Sequence, residues 1–311
     1  PGWIGTRQVM FMRALMAAGY RPGRRLLLIA SQHRKPPPAW MRWRHISYRS
    51  TPTELLAALL SFRPDFLYGW VTPIRRMAEE VRQKGRKTFS PQAIITTAET
   101  LDEKTRDIIE ETFSCSVYEI FGMTEMGAMS WECAAHSGLH VAEDLVITEY
   151  VAHELRTDMQ RLVTTNLALR AMPFLRYDCG DLVVPVAESE DPCDCGRTFR
   201  RIRRVEGRLV DCVSLVDGRI FSPYELTLAM EQIAGIARYR LFQPRSERLE
   251  IHYVAYAGAD SDVINHEIER IIGELLGANI QVSARQQDSI DPPEGSKFRV
   301  VQSCVNSGGS V

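Results

Sequence analysis

Tyr118–Glu125, read YEIFGMTE, decides how the rest of this chain is interpreted. Ser116–Phe121 is strand-like and runs directly into Gly122. Glycine, threonine and a carboxylate within five residues suit a tight turn that meets a phosphate and its metal. The glycine lets backbone approach closely, the hydroxyl donates to oxygen, and the carboxylate holds a hard cation. Upstream, Ala93–Thr97 is a short β-rich run and Glu103–Phe113 reads as a helix with Ile108 and Ile109 facing inward. Strand, helix, strand predicts a βαβ unit with ligand-binding turns at its strand ends.

Working outward, Thr53–Phe62 is helical in spacing and follows a Thr/Pro start signal. Thr72–Lys84 is a second helix, with Pro73 tolerated in its first turn and Gly85 ending it. The apolar run LLLIA is too short to span a bilayer and reads as a buried strand. From Leu145 the pattern shortens and becomes β-rich: LVITEYV, RLVTTNL and DLVVPV alternate with turns. After Gly207-Arg208 a small α+β tail follows. Its helices are expected at Glu225–Ile233 and Val263–Leu276, and its strands at Arg248–Val254 and Asn279–Ala284. The best boundary lies near Arg208, giving domains 1–207 and 208–311.

The chain has 311 residues, 45% of them hydrophobic and 25% charged, which suits two folding units with a large core. A net charge of −1 gives no electrostatic reason to bind nucleic acid or an anionic membrane. The first residues hold too short an apolar core for a secretory signal. Seven cysteines, an odd number in a long chain, argue against a disulfide scaffold and predict a reducing cytoplasm.

Three further segments stand in fixed order behind YEIFGMTE: LRYDCGD (Leu175–Asp181), EGRLVD (Glu206–Asp211) and EGSKFR (Glu294–Arg299). With FRPDFLYGW (Phe62–Trp70), Ile94–Phe113 and SGLHV (Ser137–Val141), they resemble the adenylate-forming superfamily, in its phenylacetate–CoA ligase and capsule-biosynthesis-like branch. The resemblance implies an α/β fold: the remainder of a large domain with a parallel sheet and a β-rich subdomain, then a small mobile α+β domain. It implies that Phe121, Gly122, Met123, Thr124 and Glu125 hold the AMP phosphate and Mg²⁺. By the same resemblance Ala98, Glu99 and Thr100 lie against the adenine, Asp181 grips the ribose and Arg208 reaches the nucleotide from the hinge. The resemblance further implies that Lys297 is the mobile lysine of acyl-adenylate formation, acting with Glu125 and Thr124, and that Tyr68, Gly69 and Trp70 line the acyl pocket. An aromatic core cluster is the alternative for those last three residues.

Two departures accompany the resemblance. The Ser/Thr/Gly-rich phosphate loop of the family is not found upstream of Phe62, so the chain reads as lacking its N-terminal part. The usual hinge Asp or Lys is Val210, with Asp211 after it.

Cys133-Ala-Ala-His136 and Cys193-Asp-Cys195 form a separate constellation. Each short chelate can present two ligands to a tetrahedral Zn²⁺, making a closed structural site of Cys133, His136, Cys193 and Cys195. His140 is the rival ligand, placed outside the shell because it belongs to the SGLHV segment.

Two functions follow. The first is ATP-dependent activation of an organic acid, aromatic by resemblance, with transfer to CoA or a carrier-protein thiol; a homodimer is one assembly open to it. The second is a degenerate, non-catalytic relative that keeps a zinc-stabilised nucleotide pocket and serves as a partner protein.

Overall fold

The computed structural model describes residues 2–30, 39–85, 88–153, 156–187, 190, 192–290 and 298–305. Two compact units divide it: Pro1–Glu149, Thr164–Tyr177 and Pro185–Arg204 form the first, and Tyr150–Val163, Asp178–Val184 and Val205–Val311 the second.

In the first unit, α1 (Gly2–Ala17) precedes β1 (Leu26–Ala30) and β2 (Trp43–Ser47). There follow α2 (Pro52–Phe62), β3 (Phe66–Trp70), α3 (Val71–Gln83), β4 (Ala93–Thr97) and α4 (Glu103–Phe113). β5 (Ser116–Met123), β6 (Gly127–Glu132) and β7 (Leu139–Val141) complete the run. Strands β1 to β5 are parallel, in the order β2-β1-β3-β4-β5. Parallel strands covered on both faces need continuous apolar sequence, and all five residues of LLLIA are buried. The expected bounds of β4 and α4 are those observed, because each has a chemical stop. Asp102 accepts from the Thr105 amide at 2.6 Å to start α4, and Ser114 closes it in the left-handed conformation. Helix α2 opens on a capping box in which Thr51 and Glu54 exchange hydrogen bonds. The core joins Leu27, Ile29, Leu59, Ile74, Met77 and Ile109. β6 then turns back antiparallel on β5, and β7 on β6.

Strands β8 (Val146–His153), β9 (Arg156–Asn166), β10 (Tyr177–Pro185) and β11 (Arg201–Arg208) carry the β-rich stretch. They neighbour one another in the order β11-β10-β9-β8, and each contributes residues to both units. Beyond them come β12 (Val213–Ser214), β13 (Ile220–Phe221), α5 (Pro223–Glu231), β14 (Ile236–Arg245) and β15 (Arg248–Ala255). Last are α6 (Ser261–Leu276), β16 (Gln281–Gln286) and β17 (Val301–Ser303). A four-stranded sheet, β16-β15-β14-β17, is packed on one face by α5 and α6. In α6, Ile264, Ile268, Ile272 and Leu276 recur every four residues and are all buried, each contributing about 2 kcal/mol.

The expected mixed α/β architecture, with a parallel sheet, a β-rich stretch and a small α+β end, is the one observed. No helix among the described residues is long and apolar enough to cross a membrane.

Candidate functional site

The YEIFGMTE segment forms the last part of β5 and the turn into β6. Its pairing shifts register between Phe121 and Met123, which turns the backbone out at Gly122. A Cβ on Gly122 would lie 2.1 Å from the Gly127 carbonyl oxygen, so no other residue fits there. Thr124 is exposed and Glu125 half-buried, both at the turn. The turn is held from outside by a residue the sequence reading missed. Asn166, buried at the end of β9, donates from Nδ2 to the Glu125 carbonyl at 3.0 Å. Its Oδ1 accepts from the amides of Ala168 and Leu169, both at 2.9 Å. An asparagine closing a strand before a loop is the signal that could have found it.

At the end of β4, Ala98 takes a positive φ of 74°, an uncommon and costly conformation for a residue with a Cβ. That bend swings Glu99 towards α3, where its carboxylate accepts from the Thr72 amide at 2.7 Å. An acid at a helix N-terminus satisfies an orphan donor and opposes the dipole. Thr100 is exposed beside it. Tyr68 is buried edge-on to Phe11, and Trp70 stacks on Tyr48 with centroids 4.2 Å apart. A Cβ on Gly69 would come within 2.8 Å of Ile29 Cβ. These three residues thus have a packing role, whatever else they contact.

In the second unit, Asp181 on β10 lies 4.0 Å from Nε of Arg208 on β11. The Asp181 side chain is 13% exposed and Arg208 64%, so the acid is fixed while the arginine is free to redirect. Burial, reinforced by Asp181, pushes the neighbouring Cys179 thiol up to about 12. Asp211 is buried and pairs with Arg299. Lys297 lies outside the described residues.

Four possible metal ligands are gathered in the first unit, and they correct the expected set. Cys133, His140, Cys193 and Cys195 have ligand atoms all within 4.8 Å of one another. The sulfurs of Cys133 and Cys193 are 3.7 Å apart, and Cys195 Sγ is 3.3 Å from His140 Nε2. Tetrahedral zinc with bonds of about 2.3 Å to sulfur separates its thiolates by roughly 3.8 Å, so this donor set fits the ion. His140 Nδ1 is 3.3 Å from the Phe199 carbonyl, the outer contact that orients a ligating imidazole. His136 is elsewhere. It sits in a turn at φ 48°, with Nδ1 3.5 Å from Glu132 and its ring against Tyr118. His140 wins because β7 pairs with both β6 and β11, opposite Trp131 and Arg201, beside the loop that carries the two later cysteines. Burial opposes ionisation of Cys193. Hydrogen bonds from Ser137 and from the Cys195 backbone outweigh it and bring the thiol to about 7.

Between the turn and this cluster lies a partly buried charge network around Glu132. Arg106 of α4 meets both Glu132 oxygens, at 3.0 and 3.1 Å, and the Glu119 amide donates to Glu132 at 2.8 Å. Desolvation, with the Glu132 charge adding and Arg106 opposing, pushes the Glu119 carboxyl up to about 8.

No family model matches the chain. It is 25% identical over 271 residues to a phenylacetate-coenzyme A ligase of Thermus thermophilus, covering 77% of this chain and 60% of that protein. It is 24% identical over 244 residues to the protein CapK of Staphylococcus aureus, covering 78% of this chain and 53% of that one. The chain therefore spans between half and two thirds of these relatives. Among solved structures, a 2-hydroxyisobutyryl-CoA ligase in the postadenylation state superposes with a TM-score of 0.76 at 20% identity, over 95% of this chain and 69% of that one. An anthranilate CoA ligase in complex with anthranoyl-AMP gives 0.72 at 12%, over 94% and 61%. The resemblance read from the four segments agrees with these relatives.

Proposed function

We propose that this chain carries the acid-activating machinery of an adenylate-forming acid–thiol ligase. A carboxylate oxygen attacks the α-phosphorus of ATP and pyrophosphate leaves; a thiol then attacks the acyl carbon and AMP leaves. CoA is the acceptor that the named relatives support, with a carrier-protein thiol as the other source of the same group. An aromatic acid follows from the likeness to phenylacetate-coenzyme A ligase. Thr124 and Glu125 would hold phosphate oxygens and Mg²⁺, which supplies positive charge as pentavalent phosphorus forms. Ala98–Thr100 would lie along the adenine, Asp181 would take the ribose hydroxyls, Arg208 would serve the hinge at the 207/208 boundary and Lys297 would promote the first step. Zinc at Cys133, His140, Cys193 and Cys195 would be structural, since all four positions are taken by protein. A reducing cytoplasm would keep those thiols available.

The observation that carries this reading is the turn between β5 and β6. Gly122 forces it open, and Asn166 pins it through the Glu125 backbone, leaving the Glu125 side chain out of those bonds. The test is acid-dependent ATP–pyrophosphate exchange. Glu125→Gln should lower it by roughly 100-fold with the melting temperature unchanged. Lys297→Ala should lose exchange but still make thioester from a supplied acyl-adenylate. Exchange at the full rate in Glu125→Gln, or equal loss of both half-reactions in Lys297→Ala, would reject the assigned roles. No exchange with the unaltered chain would favour the non-catalytic relative.

A further inference from the structure

Arg156, at the start of β9, spends every donor it has. Nε and Nη2 donate to the two Asp158 oxygens, at 2.8 and 2.6 Å. Nη2 and Nη1 donate to the two Glu225 oxygens, at 2.8 and 2.9 Å, and Nη1 also reaches the Ile220 carbonyl at 2.8 Å. A guanidinium carries five N–H donors, so none is left over. Asp158 lies two residues along the same strand. Ile220 belongs to β13 and Glu225 to the first turn of α5, beyond the 207/208 boundary read from the sequence. All four residues lie within the second unit.

Other contacts cross the same boundary. Glu206 accepts from the Ser222 hydroxyl. A Cβ on Gly207, where φ is 109°, would lie 2.8 Å from Pro223 Cγ, so the backbone there rests on the first residue of α5. Arg156 differs from a permanent staple in what each side keeps when the two part. Breaking a buried ion pair is costly because one charge is left uncompensated. Here Asp158 stays with Arg156 on β9, while Glu225 keeps the Ser222 amide, its capping partner at 2.8 Å. The Asp158 and Glu225 side chains are 58% and 29% exposed. Opening therefore strands neither charge.

The fold takes more than one arrangement. The 2-hydroxyisobutyryl-CoA ligase superposes at a TM-score of 0.76 in its postadenylation state, over 95% of this chain. It gives 0.58 in an open conformation and 0.56 in the thioesterification state, over 95% and 96%.

We propose that Arg156 is a releasable latch, a positioning residue that holds α5 against β9 during acid activation and lets go for thiol transfer. The assignment rests on the acid–thiol ligase reading. Arg156 acts only through Glu225 and the Ile220 carbonyl.

The test uses the full chain and three variants. Arg156→Gln removes the charge. Glu225→Gln removes it from the other side while keeping a residue that can complete the capping box. Arg156→Lys keeps a charge without the bidentate fork. Three measurements are made: acid-dependent pyrophosphate exchange, thioester formation from a supplied acyl-adenylate and CoA, and amide hydrogen exchange across residues 205–212. Both glutamine variants should lower pyrophosphate exchange by roughly 10-fold, the effect of one charge-assisted bidentate pair, without slowing thioester formation. Hydrogen exchange across 205–212 should quicken by a similar factor, and Arg156→Lys should fall in between. The double glutamine variant should be no worse than either single one, since both remove the same interaction. Protection of the β14 and β15 amides reports that each variant is folded. Equal loss of both half-reactions in folded variants, or unchanged hydrogen exchange across 205–212, would overturn the latch. Quickened hydrogen exchange in a chain that performs neither half-reaction rejects the ligase reading alone. Both half-reactions at full rate in Arg156→Gln reject the latch alone.

Discussion

The β5–β6 hairpin has two ends, and they are built on opposite rules. At the Phe121–Glu125 end the backbone is fixed, by a glycine that tolerates no Cβ and by Asn166, while Thr124 stays exposed. At the Cys133 end the side chains are fixed: Cys133 and His140 are wholly buried and Cys193 nearly so. The first end holds its backbone still and leaves side-chain oxygens uncommitted, as the proposed ligand-exchanging site would need. The second commits every donor to its neighbours, as the proposed staple would need. One hairpin thus separates an open end from a closed one by the length of β6.

The largest effect expected from this contrast is at the closed end. Purified protein should hold about one Zn²⁺ per molecule. Cys193→Ser and His140→Ala should each lose it and lower the melting temperature by roughly 10 °C or more, whereas His136→Ala should keep it. Metal analysis of protein made under reducing conditions, without chelator, decides the matter. Zinc retained in His140→Ala and lost in His136→Ala would undo the ligand set drawn from the geometry.

At the open end the expected change is smaller in stability and sharper in binding. Asn166→Ala removes the donor to Glu125 and the acceptor for the following loop, and should cost about 2 kcal/mol. Asn166→Asp keeps the acceptor and loses the donor. It should stay closer to the unaltered melting temperature yet weaken Mg²⁺–ATP binding as much as the alanine variant does. If both variants bind Mg²⁺–ATP at full affinity, the turn is not held by Asn166 in the way the comparison requires.

The smallest effect lies midway, at Glu119. Its carboxyl is raised to about 8, so the folded state holds that proton more tightly than the unfolded chain does. The stabilisation is complete below the unfolded carboxylate range and is lost as pH rises through about 8. Melting temperature should therefore fall between about pH 5 and pH 8. Glu119→Gln should flatten that slope and melt higher than the unaltered protein near pH 8. A slope unchanged in the variant would place the titration elsewhere.

Local chemistry was legible in the sequence and partnership was not. Asp102 and the Ser114 break bound α4 without any tertiary information, and Gly122 betrays its turn by itself. The metal ligands did not yield to spacing. Cys133-Ala-Ala-His136 reads as a chelate on paper, but the His136 turn sends its ring to Tyr118 and Glu132. His140 is supplied by strand pairing across β6, β7 and β11, which no spacing encodes. Asn166 was overlooked for the same reason, since its partner lies forty-one positions earlier. Helix α1 went unread because its apolar residues form no clean stripe.

The cluster's ligands have a consequence for the order in which the protein comes into being. Cys133 and His140 emerge from the ribosome before Cys193 and Cys195, with β8, β9 and β10 made in between. At roughly 5–20 residues per second, several seconds separate the first ligand from the last. The parallel strands β1 to β5 precede that interval. A metal held by the first pair alone has only two protein ligands, so full coordination must await the second pair. Metal capture at these four residues would thereby be a timestamp, set only once the β-rich stretch has been synthesised.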